Sequence, residues 1–385
     1  MIQTAFPFLS LLVFIASLLV YLESRSRSRL FEYLPAIVIL YFTIMTLASL
    51  GVWSKTEQIN MLYKGVKSNL LPAMIFLMLL QSDIRKILKL GRKILLTFFL
   101  ASLSIGIGFI VMFAFLHDSF DSSAWKAFGA LSGSWMGGTG NMVAIQGALA
   151  LPDSKMGYVL LIDSIDYAIW VMILLALVPL AKGFNRWSGA DGTILESLKE
   201  QLEDRKIEAV TFPSLFMLLG LSLMVSVVAQ ELALLLPTTD FFTQTTWVVL
   251  FATIAGIIMG MTPLSKHQSA SILANVMLYL IVALIASRAN FAELAQAPLY
   301  IVAGFIIIMI HASVMVLFAK IFKLDLFSLG VASLANIGGV ASAPILAGAY
   351  HKALIPIGVL MAMMGYIIGT FMGLGISKIL MIIAT

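Results

Sequence analysis

Cysteine is missing from all 385 residues, and charged residues make up only 11% of them. No disulfide, thiolate metal site or cysteine nucleophile can therefore be built from this chain. Soluble domains carry about 25% charged and roughly 45–50% apolar residues, whereas here the apolar share is 61% and the mean hydropathy is +1.03. That composition describes a polytopic membrane protein whose surroundings are the lipid bilayer. Enzyme signatures are missing as well. There is no Walker or Rossmann glycine pattern in a strand and helix setting, no His-Glu-x-x-His, and no supported Ser-His-Asp spacing. We expect neither an enzyme nor an ATP-driven pump, and no cofactor. The net charge of +5 comes from basic residues scattered singly between apolar runs, which argues against a nucleic-acid partner.

What the chain does have is length in its apolar runs. Stretches of about 17–25 apolar residues cross the hydrocarbon core, and ten of them fall at roughly 5–22, 31–53, 66–83, 94–117, 156–181, 211–236, 244–262, 269–287, 297–319 and 355–380. The first lacks the preceding basic residue of a signal peptide and is read as a retained helix. Two further stretches, 124–151 and 326–350, are each long enough either to cross once or to enter and return as two half-helices.

Both of these stretches are interrupted by glycine. The first carries Gly133-Ser134-Trp135-Met136-Gly137-Gly138-Thr139-Gly140-Asn141, and the second carries Ser333-Leu334-Ala335-Asn336-Ile337-Gly338-Gly339. An unwound backbone in hydrocarbon strands polar groups at several kcal/mol each, so such breaks survive where protein buries them or where they line a cavity. Paired breaks in two halves of a chain point to the binding site of a transporter. If both segments are re-entrant and the N-terminus lies outside, 17 of the 24 lysines and arginines face the cytoplasm; if both cross, only 11 do. The positive-inside bias favours re-entry of the first segment, and matching motifs in the two halves extend it to the second. Gln81-Ser82-Asp83 through Leu88 pairs with Ser287-Arg288 through Leu294, and Asp166-Tyr167 through Trp170 pairs with Gly365-Tyr366 through Gly369. The expected fold is all-α, with two inverted repeats, 1–181 and 211–385, each of five crossings plus one hairpin. A cytoplasmic linker at 182–210, with an amphipathic run from Leu195 to Ile207, joins them.

The candidate site is built largely from small residues. Gly137, Gly138, Gly338 and Gly339 permit positive φ and close approach of a ligand, while Ser132, Ser134, Thr139, Asn141, Ser333, Asn336 and Ser342 offer neutral oxygens to a polar solute. Close helix packing is the alternative use of such small residues. For a hard cation such as sodium we single out Thr139, Asn141, Asp166 and Asn336. Asp163 and Asp166, three residues apart and so on one helix face, are ion-coupling candidates, because an intramembrane carboxylate costs about 2.5–3.5 kcal/mol to insert and marks an ion or proton pathway. His311, within an apolar run, is a further proton-coupling candidate. Asn69 with Pro72, and Asn275, occupy matching places in the third run of each repeat.

At these motifs the chain resembles the YjcL-like family of bacterial membrane proteins of unknown function, domain of unknown function family 819, which is similar in layout to the sodium/glutamate symporters. The likeness rests on Gly133-Ser134-Trp135 through Asn141-Met142, on Ala335-Asn336-Ile337-Gly338-Gly339, and on Lys352-Ala353-Leu354-Ile355-Pro356. It implies inverted repeats with central hairpins, a scaffold part used for homodimerisation and an elevator-like movement of the hairpin part. The first hairpin departs from the glutamate symporters in having Gly-Gly-Thr-Gly-Asn and lacking their histidine, which points to another small carboxylate, an amino acid or a short peptide. The reading is a sodium-coupled secondary active transporter of the inner or plasma membrane. Proton coupling in the same fold, a channel, or a lipid flippase are the alternatives.

Overall fold

A chain this apolar satisfies its backbone away from water by forming helices. The computed structural model describes residues 1–26, 36–190, 210–239, 241–289, 297–351 and 354–385. In chain order the helices are α1 (Ala5–Arg25), α2 (Ala36–Ser49), α3 (Glu57–Leu80), α4 (Ile84–Leu88), α5 (Arg92–Leu116), α6 (Ala124–Gly137), α7 (Thr139–Ala148), α8 (Met156–Leu177) and α9 (Ala181–Ser188). The second half supplies α10 (Phe212–Leu234), α11 (Gln244–Gly260), α12 (Ser269–Ala286), α13 (Ala297–Phe322), α14 (Leu326–Ile337), α15 (Gly339–Tyr350) and α16 (Ile355–Ile383). Local sequence sets several starts. Thr243 and Thr246 exchange hydroxyl and backbone hydrogen bonds in a capping box ahead of α11. Asp325 caps α14, accepting from the Ser328 backbone N–H and from its hydroxyl, both at 2.8 Å.

Among the described residues seven helices are long and apolar enough to cross a bilayer: α1, α5, α8, α10, α12, α13 and α16. Ten crossings were expected, and the difference has local causes. α11 has 17 residues and is short for a span, and α2 is described only from Ala36, inside the expected run 31–53. The third expected run, 66–83, is part of a 24-residue helix that starts at Glu57 because Thr56 caps it, and its first half carries Asn60, Lys64 and Lys67. Of the sequence readings, Arg27, Arg29, Lys199, Arg205, Lys206, Lys352, the amphipathic run 195–207 and most of the 287–294 motif lie outside the described residues.

The helices sort into two bundles. α1, α2, α3, α10, α11 and α12 pack on one another, and α5, α6, α7, α8, α13, α14, α15 and α16 pack around α16 and α13. Within the second bundle each glycine-broken stretch folds back on itself. In the first hairpin a Cβ on Gly133 would meet Ile145 Cδ1 at 2.4 Å, and one on Gly129 would meet Leu149 Cδ1 at 3.0 Å, so α6 and α7 run antiparallel. In the second, a Cβ on Gly330 would meet Leu346 Cδ2 at 3.1 Å and one on Gly338 would meet Ser342 Oγ at 2.0 Å, giving α14 and α15 the same arrangement. The turns sit on Gly138, at φ +80° and ψ 173°, and on Gly339, at φ +59°. The first of these backbone conformations is essentially reserved for glycine.

A seam of small residues docks the first hairpin on α16. A Cβ on Gly373 would lie 3.0 Å from Gly133 Cα, one on Gly369 would lie 2.6 Å from Gly137 Cα, and one on Gly129 would lie 2.3 Å from Ser377 Oγ. With steps of four on both helices the backbones touch, as small-xxx-small pairs allow in membranes. Part of the glycine in the first motif thus serves packing.

Candidate functional site

The two hairpin tips meet in one cavity of about 290 Å³ between the bundles. Gly138 and Thr139 come from the first tip, and Gly338 and Gly339 from the second, positions 200 residues apart in sequence. α8 contributes Asp163, Ser164 and Tyr167, and α16 contributes Tyr366. The facing wall belongs to the other bundle, with Ile37 and Val38 of α2, Met78 of α3, and Asn275 and Tyr279 of α12.

Asp163 is the charged side chain of this cavity, and α6 holds it in place. Ser134 Oγ and Trp135 Nε1 donate to its Oδ1 at 3.0 and 3.1 Å, while Oδ2 accepts no hydrogen bond among the described residues. Tyr366 stands between the tips: Cβ atoms built on Gly138 and on Gly339 would lie 3.2 and 4.0 Å from the same ring carbon, Cε1. Tyr167 packs against the second tip, 2.4 Å from where a Gly338 Cβ would be, with Ser342 buried beside it.

Other expected site residues are turned away from the cavity. Asn141 Nδ2 donates to the carbonyls of Gly137, at 2.6 Å, and Tyr366, at 3.4 Å, and its Oδ1 accepts from Thr370 Oγ1. Asn336 Oδ1 accepts from Ser102 Oγ at 2.7 Å, and its Nδ2 donates to Ala332 at 2.9 Å. These two asparagines fasten the hairpins to α16 and α5. Ser132 bonds back to the Gly129 carbonyl. His311 is bonded at both ring nitrogens, to Ser104 Oγ at 2.7 Å and to Ser333 Oγ at 2.8 Å, and Trp170 Nε1 also donates to Ser333 Oγ. That knot ties α5, α13, α14 and α8 together.

Asp166 does not share the surroundings of Asp163. Three residues turn the helix by 300°, which points Asp163 at α6 and Asp166 at α13. Gly304 of α13 makes the room, since a Cβ there would lie 1.8 Å from Asp166 Oδ2. Asp166 is fully buried, and neither of its oxygens has a hydrogen-bond partner among the described residues. Thr139, Asn141, Asp166 and Asn336 therefore do not converge on one point. Asn275 does reach the cavity, whereas the Asn69 side chain faces α10 and accepts from Gln230 Nε2 at 3.1 Å.

The backbone offers something the sequence did not disclose. A Cβ on Gly365 would lie 3.1 Å from the Met136 carbonyl oxygen and 3.2 Å from that of Ala335. Both carbonyls belong to the last turns of α6 and α14, where C=O groups lack intrahelical partners and carry the negative end of the helix dipole.

Farther along α3, about 20 Å from Met78 at 1.5 Å per residue, a polar bridge joins the bundles. Asp153, in the link between α7 and α8, accepts from Lys67 Nζ at 2.8 Å, from Tyr63 OH and from Gln146 Nε2 at 2.9 Å. The Arg288 guanidinium lies 4.5 Å from the Tyr63 ring centre.

Comparison with known proteins agrees with the motifs at the tips. The chain is similar to the uncharacterized membrane protein YjcL of Bacillus subtilis (strain 168), with 25% identity over 327 residues that cover 81% of this chain and 82% of that protein. The model of the family described as protein of unknown function (DUF819) matches residues 10–383. Since that match takes in nearly the whole helical architecture described above, this multi-span membrane protein belongs to the DUF819 family.

Proposed function

We propose that the chain is a secondary active transporter of the plasma or inner membrane, in which a small polar solute occupies the cavity between the bundles and a sodium gradient drives the cycle. One observation carries this reading: two glycine turns from opposite halves of the chain line one cavity together with a carboxylate. Each half also supplies matching parts to each bundle, α1–α3 with α10–α12 to one and α5–α8 with α13–α16 to the other. Tyr167, which follows the first hairpin, packs on the second tip, and Tyr366, which follows the second, packs on the first. An inverted repeat of five crossings and a re-entrant hairpin accounts for this exchange, and alternating access then consists of the hairpin bundle moving against the other. The first bundle is the surface for pairing with a second copy. Sodium is assigned to the Met136 and Ala335 carbonyls at Gly365, in keeping with half-helix C-termini that coordinate cations in such carriers. The paired glycine tips at one cavity support a carrier, which occludes its solute, over a channel with a continuous path.

Proteoliposomes given labelled solutes test the reading. Uptake is expected to rise at least about tenfold when an inward sodium gradient replaces potassium on both sides, a difference worth about 1.4 kcal/mol of driving force. A lack of solute movement under sodium and under pH gradients alike rejects the carrier.

One observation favours proton coupling as a second reading. An ionised carboxylate buried without any hydrogen bond costs several kcal/mol, so Asp166 in its Gly304 socket suits the uptake and release of a proton.

The polar bridge gives a further expectation. If the hairpin bundle moves, the Asp153 contacts with Tyr63 and Lys67 must part, and Asp153→Ala is expected to favour the parted state. A single cysteine placed at Thr139, in a chain that has no other, should then react with a membrane-impermeant maleimide several-fold faster in the Asp153→Ala background. Equal rates in the two backgrounds count against movement at this seam.

A further inference from the structure

Resting on the reading of this cavity as a solute site, we infer that the transported solute is a small organic compound carrying an ammonium group, and that Asp163 is its counter-charge.

The charges around the cavity are one-sided. Among its lining residues Asp163 is the sole charged side chain, and lysine, arginine and histidine are absent. Ser134 and Trp135 both donate to Oδ1, so half of the carboxylate's acceptor capacity is unused in a residue that faces the cavity. A carboxylate in such a place calls for a cation.

The shape of the cavity favours an organic cation over a bare ion. A hard metal ion takes about six oxygen ligands at short distance, whereas 290 Å³ equals roughly ten water volumes at about 30 Å³ each. Tyr167, Tyr279 and Tyr366 place three aromatic rings around the same space. Aromatic faces attract organic ammonium groups by about 0.5–2 kcal/mol, most where water is excluded. The fit is therefore to a solute of about ten non-hydrogen atoms with one cationic nitrogen. Two sources share this chemistry, a plain amine and a zwitterionic amino acid. For the second, the starts of α7 and α15 at Thr139 and Gly339 open on the same cavity and receive the carboxylate.

Thermal unfolding of the full-length protein in detergent micelles, followed by tryptophan fluorescence, tests the assignment, since a ligand of the folded state raises the melting temperature. Three matched series serve as probes: the common α-amino acids, their decarboxylated amines, and their 2-deamino acids. Compounds with the ammonium group are expected to stabilise the protein, and the 2-deamino acids are not. Stabilisation by amino acids alone identifies the zwitterion, and stabilisation by both series identifies the amine as sufficient. Asp163→Asn should weaken binding at least tenfold, with Asp163→Glu retaining part of it as a check that the fold survives. Sodium should not compete with the ammonium compound. The assignment is overturned if 2-deamino acids bind as well as their parents, if Asp163→Asn and Asp163→Glu both bind like the native protein, if sodium displaces the amine, or if no series shifts the melting temperature. In each of these cases the carrier reading stands or falls separately, on whether any solute moves into proteoliposomes under either ion gradient.

Discussion

Replacing Gly133 with leucine is expected to lower the melting temperature of the purified protein by about 4 °C, or to prevent its accumulation in the membrane. At this position three helices touch. A Cβ would already lie 2.4 Å from Ile145 Cδ1 and 3.2 Å from the Asn141 carbonyl oxygen, while Gly373 of α16 presses on the other side. Overpacking a core costs about 1–3 kcal/mol when side chains can yield. Here a leucine must first displace the Ile145 side chain and then press on the Asn141 backbone behind it, which strains the packing of α6 on α7. Gly220→Leu on α10 is the matched comparison: nothing lies within 4 Å of a Cβ there, and no loss of stability is expected. If both variants melt alike, the α6–α16 seam does not hold the hairpin in place.

If protons drive the cycle, as in the second reading, Asp166→Asn is expected to reduce uptake driven by a pH gradient at least about a hundredfold, which corresponds to roughly 2.7 kcal/mol, while moving the melting temperature little. The amide has the shape of the acid, and the socket at Gly304 is unchanged by it. No hydrogen bond is lost, because neither Asp166 oxygen makes one. A structural acid would produce the opposite pattern, a shift in melting with transport intact. Undiminished pH-driven uptake in Asp166→Asn removes this residue from the coupling path and leaves sodium at the Gly365 carbonyls as the sole proposal for the ion.

Both glycine breaks were legible in the sequence because their conformations have few alternatives. Gly138 holds a φ and ψ that side chains do not tolerate, and a turn of that kind inside an apolar run leaves a visible mark. The two tips line a single cavity. The division of labour among the polar residues was less visible. Asparagine next to a helix end finds local carbonyls, so Asn141 and Asn336 turned inward to bond Gly137 and Ala332 rather than toward the cavity. Asp163 and Asp166 share a face by spacing, yet the 60° between them is enough to send one to α6 and the other to α13. Tyr167 and Tyr366 entered the sequence reading as matching places after the two hairpins and not as cavity residues, and Tyr279 did not enter it, because aromatic residues in apolar helices ordinarily meet lipid or core. Polar residues hid the length of α3, since hydropathy begins its run well inside the helix that Thr56 starts.

The position of Tyr366 bears on how a load is sensed. One ring carbon faces both Gly138 and Gly339, so a guest that pushes the ring off one glycine necessarily changes its distance to the other. On the proposed carrier reading the two tips are thereby coupled through a single phenol, and a change in the environment of that one side chain should report a filled cavity.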